Sequence, residues 1–138
     1  MGLNNLKEYY RQAEIALEFG EKYTPTKWVH QFSEYIFTYI LEKVTEEFSA
    51  EFLNSPILER LHRYDCENNT ELIKTLKVYL KNRMNAVQTA KDLFIHRATM
   101  VYRLERIKEI GKTDLKKEDE ILHLYLSIRL FDFAKNNL

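Results

Sequence analysis

Thr99, Tyr102, Arg103 and Arg106 fall at i, i+3, i+4 and i+7, the spacing of a single helix face. Hydroxyls and guanidinium groups aligned in this way can bond phosphate oxygens and the edges of bases. His96 and Arg97 stand at the amino end of the same helix, which the spacing places from about Arg97 to Ile110. Met100, Leu104 and Ile107 recur at i, i+4 and i+7 and give it a separate apolar stripe, so one side serves a core and the other a polar partner. Arg97 and Arg103 are the residues expected to matter most, because an arginine can bond guanine through two hydrogen bonds.

A second helix must hold this one in place. Asn85 can cap a helix over Ala86 to about Leu93, Phe94-Ile95-His96 make the turn, and Gly111 can end the second helix in a left-handed conformation. Ala90 is the small residue needed where two helices cross closely. This is the layout of a helix-turn-helix whose second helix enters the DNA major groove amino end first. Lys74, Lys77 and Lys81 at i, i+3 and i+7 form a further basic row. Such rows are usually only solvated, but beside a helix-turn-helix they can also neutralise phosphates, adding affinity without sequence information. The candidate DNA-binding set is therefore Asn85, Gln88, His96, Arg97, Thr99, Tyr102, Arg103 and Arg106, with Lys74, Lys77 and Lys81.

The stretch NAVQTAKDLFIHRATMVYRLERI resembles the C-terminal helix-turn-helix of PucR/CdaR-type bacterial transcriptional regulators and is more distantly similar to the DNA-binding end of Fis. The shared pattern is Asn85, Thr89-Ala90, Leu93, His96-Arg97, Thr99 and Tyr102-Arg103-Leu104. The resemblance takes in Leu61 to Leu80 upstream and Asp114 to Leu130 downstream, and it is weak before Ile57. Phe94 departs from the wider pattern, since many such turns have Gly there. The resemblance implies a DNA-binding regulator, with an N-terminal sensory region and a degenerate GGDEF-like domain ahead of the helix-turn-helix. Residues 3–53 look at best like the tail of such a middle domain, so the chain is expected to be a fragment or a shortened member.

Composition agrees with an all-α fold, a helical bundle with a C-terminal Fis-like helix-turn-helix and a terminal scaffold helix. The 138 residues hold 3 Gly and 2 Pro, so breakers are scarce, and 45% are hydrophobic, enough for a sizeable core. No run of 18 apolar residues is present, so no membrane span is expected. The first ten residues hold no apolar signal region, and Leu6 breaks the myristoylation pattern. The lone Cys66 rules out an internal disulfide and fits a reducing cytoplasm. Net charge is zero but unevenly spread. Residues 1–73 carry 7 Lys/Arg against 13 Asp/Glu (−6), residues 74–112 carry 10 against 3 (+7), and residues 113–138 carry 4 against 5 (−1). The basic block coincides with the helix-turn-helix and the helix before it, and a local patch is what phosphate binding requires.

Two domains are expected: an N-terminal helical region over 1–68, and the helix-turn-helix domain over 69–138. The helix at 32–44 in the first and the face with Leu122, Leu126 and Phe133 in the second are the two candidate seats of a dimer contact. In the first, Leu3 to Phe19 reads as an amphipathic helix with Leu6, Tyr10, Ala13 and Leu17 inward, followed by a break from Gly20 to Thr26. Ser33 can cap the next helix, and residues 32–44 are apolar nearly all round, which calls for central burial or a second chain. Phe48 to Leu53 is a short helix or turn. Ser55-Pro56 starts a helix over Ile57 to Tyr64, and Asp65 to Asn69 is a polar turn. Asn69 can cap a helix from Thr70 to about Lys81 with Leu72, Leu76, Tyr79 and Leu80 inward. A last helix over about Lys117 to Ala134 shows Ile121, Leu124, Tyr125, Ile128 and Phe131 on one face and Leu122, Leu126, Leu130 and Phe133 on another.

Catalytic and metal chemistry is not expected. His30, His62, His96 and His123 are scattered, with no His/Cys cluster, phosphate loop or nucleophile elbow. Tyr64-Asp65 reads as a capping aspartate more readily than as an acid/base pair. The expected function is sequence-specific recognition of double-stranded DNA by a cytoplasmic homodimer, without cofactor or membrane and with an effector that the sequence does not name. The alternative is a helical interaction or sensor module of the same fold that does not bind DNA.

Overall fold

The computed structural model describes residues 5–136, so the expected helix start at Leu3 lies outside the described residues. Those residues form α1 (Leu6–Tyr23), α2 (Phe32–Glu47), a 3-10 turn (Ala50–Leu53), α3 (Pro56–Asn68), α4 (Leu72–Lys81), α5 (Ala86–Asp92), α6 (Arg97–Gly111) and α7 (Glu118–Asn136). No strand occurs among them, in keeping with an all-α fold. The chain divides into two compact units, one ending at Ser49 and the other beginning at Ala50. Helix α3, expected with the N-terminal region, thus lies in the second unit. Its Ile57 and Leu61 share a core with Leu72, Leu76, Leu80, Ile107, Leu115 and Leu124. A boundary at 68/69 would cut through that core.

In the first unit the buried face of α1 is Ile15, Ala16, Phe19 and Gly20, while Leu6, Tyr10 and Leu17 are exposed. The expected stripe is rotated because aromatic packing selects another. The Phe19 ring lies 5.6 Å from that of Tyr23 and 5.9 Å from that of Tyr39. Gly20 does not break the helix, which runs on to Tyr23. A Cβ at Gly20 would lie 2.2 Å from Cγ of His30, whose ring bonds the Tyr35 hydroxyl at 2.8 Å, so glycine here admits a close neighbour. Ser33 is not the cap of α2; Gln31 precedes that helix and makes no side-chain cap bond. Tyr35 and Leu41 are the buried residues of α2, and Ile36 and Ile40 stay exposed.

The second unit begins with a built corner. Ser55 Oγ accepts from the Ile57 amide at 3.3 Å and Pro56 occupies the first turn, as the Ser-Pro pair predicts. Ser55 N–H in turn donates to Ser127 Oγ on α7 at 2.8 Å. Helix α3 runs past the expected end at Tyr64 to Asn68, and Asn69 (φ 52°) ends it rather than starting α4. The start of α4 is capped by Asp65, whose carboxylate accepts from the amides of Leu72 and Ile73, each at 2.9 Å. On α7 the buried positions are Leu124, Ser127 and Leu130; Phe131, expected inward, is exposed. Leu115, in the connection between α6 and α7, is 2% exposed and joins the core.

Several helices here end without glycine. Asn69, Arg83, Phe94 and Lys112 take left-handed φ angles of 52–54° just past α3, α4, α5 and α6. At the last three a paired set of backbone bonds closes the end, for example Ile95 N–H to Ala90 O at 3.0 Å with Phe94 N–H to Lys91 O at 3.1 Å. Gly111 was the expected stop of α6, but it is helical and buried, and Lys112 takes the left-handed position. Gly111 instead eases packing, since a Cβ there would lie 3.0 Å from Ile57 Cγ2. Arg60 bonds its carbonyl.

Candidate nucleic-acid interface

Helix α5 starts as expected, with Asn85 Oδ1 accepting from the Gln88 amide at 3.0 Å. Thr89 and Ala90, at 0% and 6% exposure, are its buried residues. The small Ala90 and the inward Thr89, whose hydroxyl donates to Asn85 O at 2.7 Å, let α5 lie close to α6. Helix α6 buries Met100 (1%) and Ile107 (0%), and Leu104 is half-buried, so the apolar stripe is seated as the spacing requires. Its opposite, amino-terminal end presents His96, Arg97, Thr99 and Tyr102, all exposed. His96 is the N-cap residue with extended backbone and makes no side-chain cap bond, so no capping side chain occupies the first-turn N–H groups. An uncapped helix start beside an arginine, a histidine and a threonine offers donors of the kind that bond anions such as phosphate.

Residues 72–130 match the family described as the PucR C-terminal helix-turn-helix domain. This part of the chain belongs to the PucR helix-turn-helix family. Among similar proteins are the carbohydrate diacid regulator of Escherichia coli (31% identical over 129 residues, 94% of this chain and 33% of that protein). Others are the DNA-binding transcriptional activator AdeR of Bacillus subtilis (30% over 122 residues, 88% and 29%) and the purine catabolism regulatory protein of the same organism (27% over 128 residues, 93% and 24%). The chain therefore spans a third or less of the length of these relatives. The 129-residue match also carries the likeness upstream of Ile57, where the sequence pattern alone was weak. No solved structure shows a significant match.

Within the PucR-type motif the two later arginines do not share the setting of Arg97. Arg103 is half-buried and its Nη1 donates to Thr75 Oγ1 on α4 at 3.0 Å. Arg106 reaches α3, where Nη2 donates to the Tyr64 hydroxyl at 2.7 Å and the guanidinium lies 5.1 Å from the Tyr64 ring centre. Its Nη1 pairs with Glu109, and its Nε is buried without a partner. The Tyr64 hydroxyl and then Glu109 hold the Arg106 guanidinium above its ordinary basicity. Gln88 is exposed, and its amide donates to Asp92 Oδ1 at 2.7 Å. Asn82 bonds the other oxygen at 2.8 Å. These two donors, Asn82 first, hold Asp92 below the usual aspartate range.

The lysine row is split as well. Lys74 pairs with Glu71 at 2.9 Å, Lys77 turns to α7 and pairs with Asp132 at 3.0 Å over the Phe131 ring, and Lys81 is exposed. The amino end of α6 thus gathers His96, Arg97, Thr99 and Tyr102, while Arg103, Arg106 and Lys77 bond other helices. Sequence reasoning missed the partners Thr75, Tyr64, Asn82 and Asp92. Of these, only Asp92 carried a local signal, four residues after Gln88 on the same helix.

Proposed function

We propose that this chain binds double-stranded DNA as the DNA-reading part of a bacterial transcription regulator, with the amino end of α6 in the major groove. The observation that carries the reading is the exposed, uncapped start of α6 with His96, Arg97, Thr99 and Tyr102 around it. The basic block over residues 74–112 supplies the phosphate attraction. Arg97 reads a base edge, Thr99 and Tyr102 make smaller contacts, and Asn85, Gln88, His96, Lys74 and Lys81 border the backbone. Arg103 and Arg106 chiefly position α6 against α4 and α3. The names of the similar regulators support the same class of function.

The test is a mobility shift on fragments selected from a random DNA pool, at two salt concentrations. Binding that weakens steeply with salt and prefers one sequence supports the reading. No binding at low salt returns the chain to the interaction-module alternative.

The active form is a homodimer in the cytoplasm, because one recognition helix covers only a few base pairs and specificity needs two half-sites. The exposed Ile36 and Ile40 of α2 and Leu122 of α7 support this by offering apolar surface for a twofold contact. Light scattering at micromolar concentration distinguishes the dimer from a monomer.

A further inference from the structure

We propose that Phe94 reads a base: its ring makes an apolar contact with the C5-methyl group of a thymine beside the bases reached by Arg97. The proposal rests on α6 being the recognition helix, and three observations carry it. First, Phe94 is 96% exposed, so its ring contributes almost nothing to the core. Its neighbours Leu93 and Ile95 are both half-buried and anchor the turn without it. Second, Phe94 has φ 54°, a left-handed conformation that favours glycine. A bulky residue there is disfavoured relative to glycine. Arg83, Lys112 and the buried Leu115 share this conformation, so what sets Phe94 apart is a bulky apolar ring left in solvent at such a position, which points to a role outside the fold. Third, Phe94 stands two residues before the N-cap His96 and three before Arg97, at the end of α6 that approaches the groove first.

The turn also holds the backbone that carries the ring. Phe94 N–H is bonded to Lys91 O and Ile95 N–H to Ala90 O, so the backbone carrying the ring is closed on both sides. The ring offers no hydrogen-bonding group and no charge. In the major groove the matching apolar feature is the thymine methyl, so the ring would distinguish thymine from the other bases.

The experiment uses the full chain, DNA fragments selected by the wild type from a random pool, and the same fragments with single thymine-to-uracil changes. Phe94→Gly and Phe94→Asn are compared, since both residues accept the left-handed backbone and neither should unfold the motif. The wild type is expected to lose about fourfold in affinity at one uracil position per half-site, the worth of one buried methyl group. Phe94→Gly should bind the thymine and uracil fragments alike, with a melting temperature equal to or above that of the wild type. Wild-type binding unaffected by every uracil change overturns the proposal. So does Phe94→Gly with full affinity and an intact thymine preference, which would assign the ring to a protein surface. Failure of the wild type to select any DNA would overturn the nucleic-acid reading itself, a separate result in the same titration.

Discussion

The Arg103 guanidinium donates to the Thr75 hydroxyl at 3.0 Å, tying the middle of α6 to a fully buried residue of α4. Thr75 is itself held, since its hydroxyl donates to Glu71 O at 2.9 Å. An arginine in this position is expected to set the angle of α6 against α4. Arg97, at the first position of the same helix, is exposed and bonds no other helix, and the proposed function gives it the direct contact.

The two arginines should therefore separate in a paired measurement. Arg97→Ala is expected to weaken DNA binding at least about tenfold, within the worth of a bidentate base contact, with an unchanged melting temperature. Arg103→Ala should instead lose about 1 kcal/mol of stability, a fall of roughly 4–8 °C in a unit of this size, with a smaller change in affinity. The opposite pattern in thermal melts and DNA titrations would exchange the two roles.

Tyr64→Phe removes the hydroxyl bonded to Arg106 but keeps the ring beneath the guanidinium. Arg106 Nε is already buried without a partner, so the guanidinium then keeps only the Glu109 pair and the ring. A modest destabilisation is expected. An unchanged denaturation midpoint would show that water replaces the phenol fully.

Asp65→Ala removes the acceptor for the Leu72 and Ile73 amides. Loss of a helix cap costs about 0.5–2 kcal/mol, and with two amides involved the upper half of that range is expected. These two amides should exchange with solvent faster than those of Leu76 or Leu80. Equal protection in the variant and the wild type would assign the cap elsewhere.

Ile107→Ala should cost about 2–5 kcal/mol, because Ile107 is completely buried in the shared core. Leu93→Ala and Leu104→Ala, at half-buried positions, should cost less and leave the motif folded at room temperature. Denaturant titrations that rank Leu93 above Ile107 would show that the core lies nearer α5.

The Asp92 carboxyl should titrate below the usual aspartate range because Asn82 and then Gln88 donate to it. With the folded-state value depressed, its contribution to stability is present above the unfolded value and is lost as pH falls through the folded one. Carboxyl carbon shifts followed by NMR should show the low midpoint, and Gln88→Ala should move it upward. A midpoint in the ordinary range would mean that neither bond persists in solution.

Much of the second unit was legible from local rules. Asn85 and Ser55-Pro56 start their helices where their chemistry places them, and Met100 and Ile107 face the core as their spacing demands. The rest depended on contacts between residues distant in sequence. Asn69 and Asp65 are both plausible caps by type, and only the approach of α3 to α4 gives the role to Asp65. Gly111 looked like a helix stop, but the nearness of Ile57 claims it for packing and leaves Lys112 with the left-handed turn. In α1 two stripes have helical spacing, and the rings of Tyr23 and Tyr39 select the one containing Phe19. Arg103 and Arg106 have the spacing of an outward face. A long side chain can nevertheless fold back to a neighbouring helix, which spacing cannot reveal.

The position of Asp65 also sets the smallest piece of chain that can fold as a cooperative whole. The family match begins at Leu72, yet the first amides of α4 take their acceptor from the helix before it. That helix also brings Ile57 and Leu61 into the core and Arg60 to the end of α6. A segment trimmed to the matched residues would start with an open helix end and a core lacking one wall. Local openings of α4 and α3 should therefore be coupled, and the protected body that carries α6 is expected to start near the Ser55 corner, upstream of the matched residues.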